Sequence, residues 1–250
     1  MFIEDKTIST KYNDLPDIIY SWVKDKIALD SANILDFGCG EGLTALGFAS
    51  RFQLASVVGV DIMPDPNYCL DRAKTHLGMT ALPKNLTLNR IQPGEDFLTD
   101  EKFDLIYSWS VFEHVEQPLL LSTIKQLRNK LRHNGRLFIQ IAPLYYSAEG
   151  SHLFHKIPIP WGHLSIQENI YLSKLMSACS SAQEFEALCS CYQTLNRVTV
   201  EELIRVIEDS GLRILRKYTT SEPMEPPKQL LGAYVIDALK INQIVLLATH

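Results

Sequence analysis

Residues Asn33 to Phe48 read NILDFGCGEGLTALGF, and the reading of this stretch decides the fold. Ala32 to Phe37 is a short apolar run with an acid near its end, the pattern of a buried strand whose carboxyl end opens on a crevice. Gly38, Gly40 and Gly42 follow at alternate positions. Without side chains they permit left-handed backbone and let a ligand lie against the main chain. The helix that starts at Leu43 offers its unpaired first-turn N–H groups to the same space. Dinucleotide-binding turns are spaced Gly-x-Gly-x-x-Gly, whereas this one is Gly-x-Gly-x-Gly with an acid, Asp36, two residues ahead of it.

Outward from this turn, strand and helix patterns alternate. Ser56 to Ile62 is a second strand ending in Asp61, about twenty residues beyond the glycines, where a carboxylate can accept both hydroxyls of a ribose. Ile62 or Met63 then lines an adenine pocket. Asn67 to Leu77 has a helical stripe, and Asn85 to Ile91 and Phe103 to Trp109 are strands three and four. Leu120, Ile124, Leu127 and Leu131 keep one helical face, with Gly135 expected as its left-handed cap. Arg136 to Ala142 is a fifth strand, closed by Pro143. Thr199 and Glu202 form a capping box for a helix that Gly211 stops, and Leu212 to Thr219 and Asn242 to Thr249 are two further strands. Ahead of everything, Ile18, Ile19, Trp22, Val23 and Ile27 make the stripe of a leading helix. The pattern is that of an α/β, doubly wound sheet.

Asp-Phe-Gly-Cys-Gly-Glu-Gly (36–42) and Phe-Asp-Leu-Ile (103–106) resemble two motifs, in the right order and spacing, of class I S-adenosylmethionine (SAM)-dependent methyltransferases. The resemblance implies a Rossmann-like, mostly parallel seven-stranded sheet finished by an antiparallel hairpin, with SAM as cofactor. It implies that Gly38, Cys39, Gly40 and Gly42 wrap the methionine half, with Asp36 near its amino group. Glu95 or Asp96, with Phe97, would meet the adenine, Asp61 and Ile62 the nucleoside, and Ser108 the crevice end of the fourth strand. Lys11, Tyr12, Tyr20 and Trp22 of the leading helix stand where they could cover the cofactor. An acid at Asp61 also suits NAD, so an NAD-dependent oxidoreductase is one alternative reading, and a non-catalytic SAM-binding module is another.

From Leu144 to Asn196 about fifty residues separate the fifth strand from the next helix, far above the ~4–6 of an ordinary loop. Ser165-x-x-Glu168 and Ser181-x-x-Glu184 are capping-box signals, and Phe185, Leu188, Cys189 and Tyr192 share a helical face. Two helices forming a lid over the acceptor are expected, within a single domain spanning residues 1–250. Ahead of them LYYSAEGSHLFHKIPIPWGHL (144–164) gathers tyrosines, histidines and a tryptophan beyond the fifth strand. An oxygen acceptor must lose a proton, and histidine titrates near neutrality. His152 and His155 are the first candidates for that base, with His163 and His114 behind them. Glu113-His114 also resembles part of a Glu-x-x-Glu-His motif of methyltransferases that position a hydroxyl with a divalent metal; Ser110 replaces its first glutamate, so no metal set is favoured, and Glu113, His114 and a downstream histidine are the alternative three-ligand set. Cys179, Cys189 and Cys191 are expected as inert thiols.

A formal charge of −5 argues against a general nucleic-acid partner, and an odd count of five cysteines points to reduced thiols. Absence of an Asn-Pro-Pro-Tyr segment after the fourth strand disfavours methylation of DNA bases. No apolar run approaches the ~18 residues of a membrane span, and MFIEDKTIST has no leader pattern. The expectation is a cytoplasmic methyltransferase acting on an oxygen of a small molecule or glycan, with its oligomeric state open.

Overall fold

The computed structural model describes residues 3–94 and 100–250. Its centre is a seven-stranded sheet in the order β3-β2-β1-β4-β5-β7-β6. The leading segment comprises α1 (Lys6–Ser9), a π-helical turn (Thr10–Asp14) and α2 (Leu15–Val23). Then come β1 (Asn33–Phe37), α3 (Leu43–Arg51), β2 (Ser56–Asp61), α4 (Pro66–Leu77) and β3 (Leu86–Arg90). β4 (Phe103–Trp109), α5 (Gln117–Lys130) and β5 (Leu131–Ile141) complete the parallel part. Three helices follow, α6 (Gly162–Ser165), α7 (Glu168–Ala178) and α8 (Ala182–Gln193). The chain closes the sheet through α9 (Val200–Asp209), β6 (Arg213–Ser221), α10 (Ile236–Lys240) and β7 (Ile241–Thr249).

β1 to β5 pair in parallel, while β7 runs antiparallel to both β5 and β6. Both faces of the inner strands are covered, which is why β1, β2, β4, β5 and β7 carry apolar runs, whereas the edge strands β3 and β6 are largely exposed. Leu35, Ile106, Leu137, Ile139 and Leu246 face a core shared with α5 and α9. Their neighbours Ile34, Leu105, Tyr107, Phe138 and Val245 face the other side, against α2 and α3. Each fully buried aliphatic or phenylalanine side chain is worth about 1.5–3 kcal/mol. Residues between β5 and α9 carry an apolar cluster of their own, in which Tyr145, Leu153, Tyr171, Leu175 and Tyr192 are buried.

Two local expectations are corrected. Gly135 does not cap a helix in a left-handed conformation: α5 stops at Lys130 and runs straight into β5. What Gly135 supplies is closeness, since a Cβ there would lie 2.9 Å from the Phe103 carbonyl where the β4–β5 register shifts. Ser165 caps no following helix either, because its hydroxyl donates to the Trp161 carbonyl and α7 starts after Gln167. Ser181 does cap α8, accepting from the Glu184 N–H at 3.1 Å. The Thr199–Glu202 box is complete on α9, and Gly211 ends that helix region at φ +87°.

Candidate active site

The strand order reverses between β1 and β4, and a crevice opens at the carboxyl ends of strands at such a point. Asp36 stands there, paired in register with Gly59 of β2 on one side and Tyr107 of β4 on the other. The glycine turn follows, and its three glycines all have left-handed backbone: φ +81° at Gly38, +51° at Gly40 and +78° at Gly42. Only two of them are held by packing. A Cβ on Gly38 would lie 2.2 Å from a Val111 methyl, and one on Gly42 would lie 2.5 Å from Leu88. At Gly40 a Cβ meets nothing within 4 Å among the described residues, which leave space in front of it. Cys39 turns the other way, its sulfur under Gly59, where burial raises its thiol pKa and leaves it inert.

Two carboxylates bracket the turn. Asp61 sits at the end of β2, accepting from the Gly40 N–H at 2.8 Å through one oxygen and from the Met63 N–H at 2.9 Å through the other. It therefore holds the tip of the turn while each oxygen keeps a second lone pair for another donor. Asp36 is only 3% exposed, and its Oδ2 has no hydrogen-bond partner among the described residues. Burial pushes its pKa up to about 7; the Tyr107 hydroxyl beside it pulls the other way without an aligned bond, and the Asp61 charge adds to the rise. An unpaired buried carboxyl oxygen facing a cationic donor would gain far more than one in water.

Of the leading segment, one predicted residue reaches the turn. Lys11, on the π-helical turn, pairs with Glu41 at 2.9 Å, inside the glycine loop. Tyr12 is buried against α3, its carbonyl so close that only a glycine fits at Gly47. Trp22 packs into the sheet core with Arg216 4.0 Å over its ring, and Tyr20 stacks edge-on against Phe52. Ile62 and Met63 are exposed beside Asp61. Ser108 is fully buried, its hydroxyl unpaired among the described residues. Glu95, Asp96 and Phe97 lie outside the described residues.

The four candidate histidines fall into different settings. His155 is exposed on the turns after β5. His163 is buried with Nε2 2.6 Å from the Tyr145 carbonyl, and burial holds its pKa down at about 4. His114 and His152 stand together, rings edge to face with centroids 5.4 Å apart, and burial lowers both, His114 to about 4. The Cys191 sulfur joins them: one ligand atom from each of the three lies within 4.8 Å of the others. Glu113 is separate from this group. It is 3% exposed with neither oxygen partnered among the described residues, and burial lifts its pKa to about 8. Ser110, where the metal motif has its first glutamate, takes φ +52° and donates to Gln140 Oε1 at 3.1 Å, so it closes the end of β4 against β5.

Sequence reading gave no notice of Tyr107, Val111, Leu88 or Glu41 at the glycine turn. Their roles come from cross-strand register and from contacts between segments distant in the chain. Cys191 was hidden because spacing along α8 shows its face but not what another loop brings to it.

A family described as methyltransferase domain matches residues 14–217. A ubiquinone biosynthesis O-methyltransferase of Candida albicans mitochondria is 35% identical over 46% of this chain, a match spanning only 34% of that protein's own length. The ubiquinone biosynthesis O-methyltransferase of Glaesserella parasuis serovar 5 is 32% identical over 66% of this chain and 70% of its own. In several other bacterial relatives of the same name the match spans about half the relative or less. Among solved structures, an S-adenosylmethionine-dependent methyltransferase from Clostridium acetobutylicum superposes with a TM-score of 0.56, covering 97% of this chain and 96% of that one at 14% identity, which is likeness of fold. With the seven-stranded sheet, the crevice at its switch point and a family match over most of its length, the chain belongs to the methyltransferase-domain family of class I S-adenosylmethionine-dependent methyltransferases.

Proposed function

We propose that this chain moves the methyl group of SAM to an oxygen of a small-molecule or glycan acceptor. The observation that carries the reading is the convergence of Asp36, open-faced Gly40 and Asp61 on one crevice. SAM, when bound, supplies an activated methyl carbon on a positively charged sulfur. Asp36 then offers its unpaired buried oxygen to the amino group, Gly40 lets the methionine half approach the backbone, and Asp61 accepts the ribose hydroxyls. Lys11 and Glu41 close the side of the turn, and Ile62 and Met63 flank the adenine.

The chain's work on the acceptor is positioning, which can supply about 7–11 kcal/mol of the barrier. Residues 144–196 act as a lid that selects the acceptor, inserted within one domain. A histidine of this segment or His114 takes the acceptor's proton. The names of the relatives, O-methyltransferases of ubiquinone biosynthesis, support oxygen as the atom methylated. The five free cysteines accord with a reducing compartment such as the cytoplasm, and among the described residues no helix is long and apolar enough to cross a membrane.

Calorimetric titration with SAM and with NAD tests the donor. Binding of SAM alone is expected, and binding of NAD without SAM overturns the proposal. A labelled-methyl screen against small-molecule fractions of a cell extract then identifies the acceptor. Replacing His114, His152, His155 and His163 singly with glutamine locates the base as the position whose loss cuts kcat by about 10²–10⁴-fold while SAM affinity holds.

A further inference from the structure

His114, His152 and Cys191 come from three separate parts of the chain: the loop after β4, the turns after β5, and the last turn of α8. The hydrogen bonds around the two imidazoles determine where their protons sit. Thr194 Oγ1 donates its single proton to the Cys191 carbonyl at 2.9 Å. Toward His114 Nδ1, 3.2 Å away, it can only accept, so Nδ1 carries the proton and Nε2 keeps a free lone pair. His152 Nε2 lies 3.1 Å from the Pro143 carbonyl, which also only accepts, so Nε2 carries the proton and Nδ1 is bare. Imidazoles that ligate metals are held in this way, with the second N–H given to a carbonyl or another oxygen. His152 is further held at φ +61°, a backbone conformation that costs a non-glycine residue energy and that clusters at functional sites.

We propose that His114, His152 and Cys191 form a site for a borderline-soft divalent cation of the zinc class, which ties lid helix α8 to the loop after β4. Two imidazoles and a thiolate suit zinc better than magnesium, which prefers oxygen. Zinc bonds of about 2.0–2.3 Å require the three ligand atoms to draw together by roughly 1 Å. This donor set differs from the carboxylate-bearing motif that Glu113-His114 resembles, because a lid thiol stands in the cluster and the Glu113 carboxyl does not. The inference goes beyond donor binding and does not depend on the acceptor. It assigns His114 and His152 to ligand duty and leaves His155 and His163 as proton acceptors.

The test is titration of the chelator-treated full chain with Co²⁺, followed by absorption. One equivalent is expected to give thiolate-to-cobalt charge transfer in the near ultraviolet with tetrahedral bands in the visible. Cys191→Ser should abolish the charge-transfer band and Cys189→Ser should keep it. Thr194→Val, which loosens His114, should weaken binding by about 10–100-fold, and Zn²⁺ should raise the Tm of the parent chain but not of Cys191→Ser or His114→Gln. SAM calorimetry on each variant shows that it is folded. A parent chain without charge transfer at one equivalent, or a Cys191→Ser variant that retains it, overturns the proposal. A chain that takes one cobalt but no SAM would sink the methyl-donor reading and leave this one standing.

Discussion

Gly38, Gly40 and Gly42 share a left-handed backbone and would look equivalent in any motif, yet they answer to different constraints. Alanine at Gly38 or Gly42 drives a Cβ into Val111 or Leu88, so both substitutions should lower Tm by several degrees. Alanine at Gly40 meets nothing among the described residues, so its stability cost should stay near the ~1–2 kcal/mol of the backbone conformation, while calorimetry should show SAM affinity falling more than for either neighbour. Asp61→Ala removes the anchor of the Gly40 N–H and, on the proposed function, the ribose acceptor; lost bonds to a charged group of about 1.5–3 kcal/mol then correspond to roughly 10–150-fold weaker SAM binding. Unchanged affinity in Asp61→Ala would remove the crevice from consideration. Asp36 adds a pH signature. Its carboxyl, held up at about 7, must ionise to meet a cationic amino group, so SAM affinity should rise as pH passes through about 7, and Asp36→Asn should flatten that rise.

At the scale of elements, sequence and structure agree where a local rule decides. The Thr199–Glu202 box is the clearest case, because both partners lie within one helical turn; Thr199→Ala should cost about 1 kcal/mol in urea unfolding. The inner strands were legible for a related reason, since burial on both faces writes apolar runs. The glycine turn and Asp61 were legible because a strand-to-helix turn and the next strand's end are joined by topology alone. Where the deciding contact is distant, local reading failed. Gly135 has the composition of a helix cap, but its form is dictated by the Phe103 carbonyl of the neighbouring strand. Ser165 sits three residues before a glutamate, yet its hydroxyl bonds backward to Trp161. The pairing of His114 with His152 was hidden in the same way, because nothing in either segment names the other.

Across the whole molecule, buried acids and buried histidines give stability an unusual dependence on pH. Asp36 and Glu113 keep protons up to about 7 and about 8 in the folded state, whereas their ordinary values are 3.8 and 4.5. Unfolding in that range releases protons, so their contribution declines as pH rises through it. His114 and His163, near 4 when folded against an ordinary 6.5, act in the opposite direction, but mainly below about pH 6.5. From pH 6.5 to 8 the opposing contribution of His114, His152 and His163 fades and the acids outweigh it, so Tm should fall over that window, and Glu113→Gln should remove much of the fall. A Tm that rises from pH 6.5 to 8 would contradict this. The sheet order has a consequence of another kind. β7 lies between β5 and β6, so among the described residues β6 has no other strand to join, although it precedes β7 in the chain. During synthesis from the amino end, residues 213–221 must wait as an unpaired ribbon until residues 241–249 emerge and slide in beside them. The parallel half can assemble earlier, making the hairpin the late-arriving keystone and the interval before it the time when the growing chain most needs shelter from its neighbours.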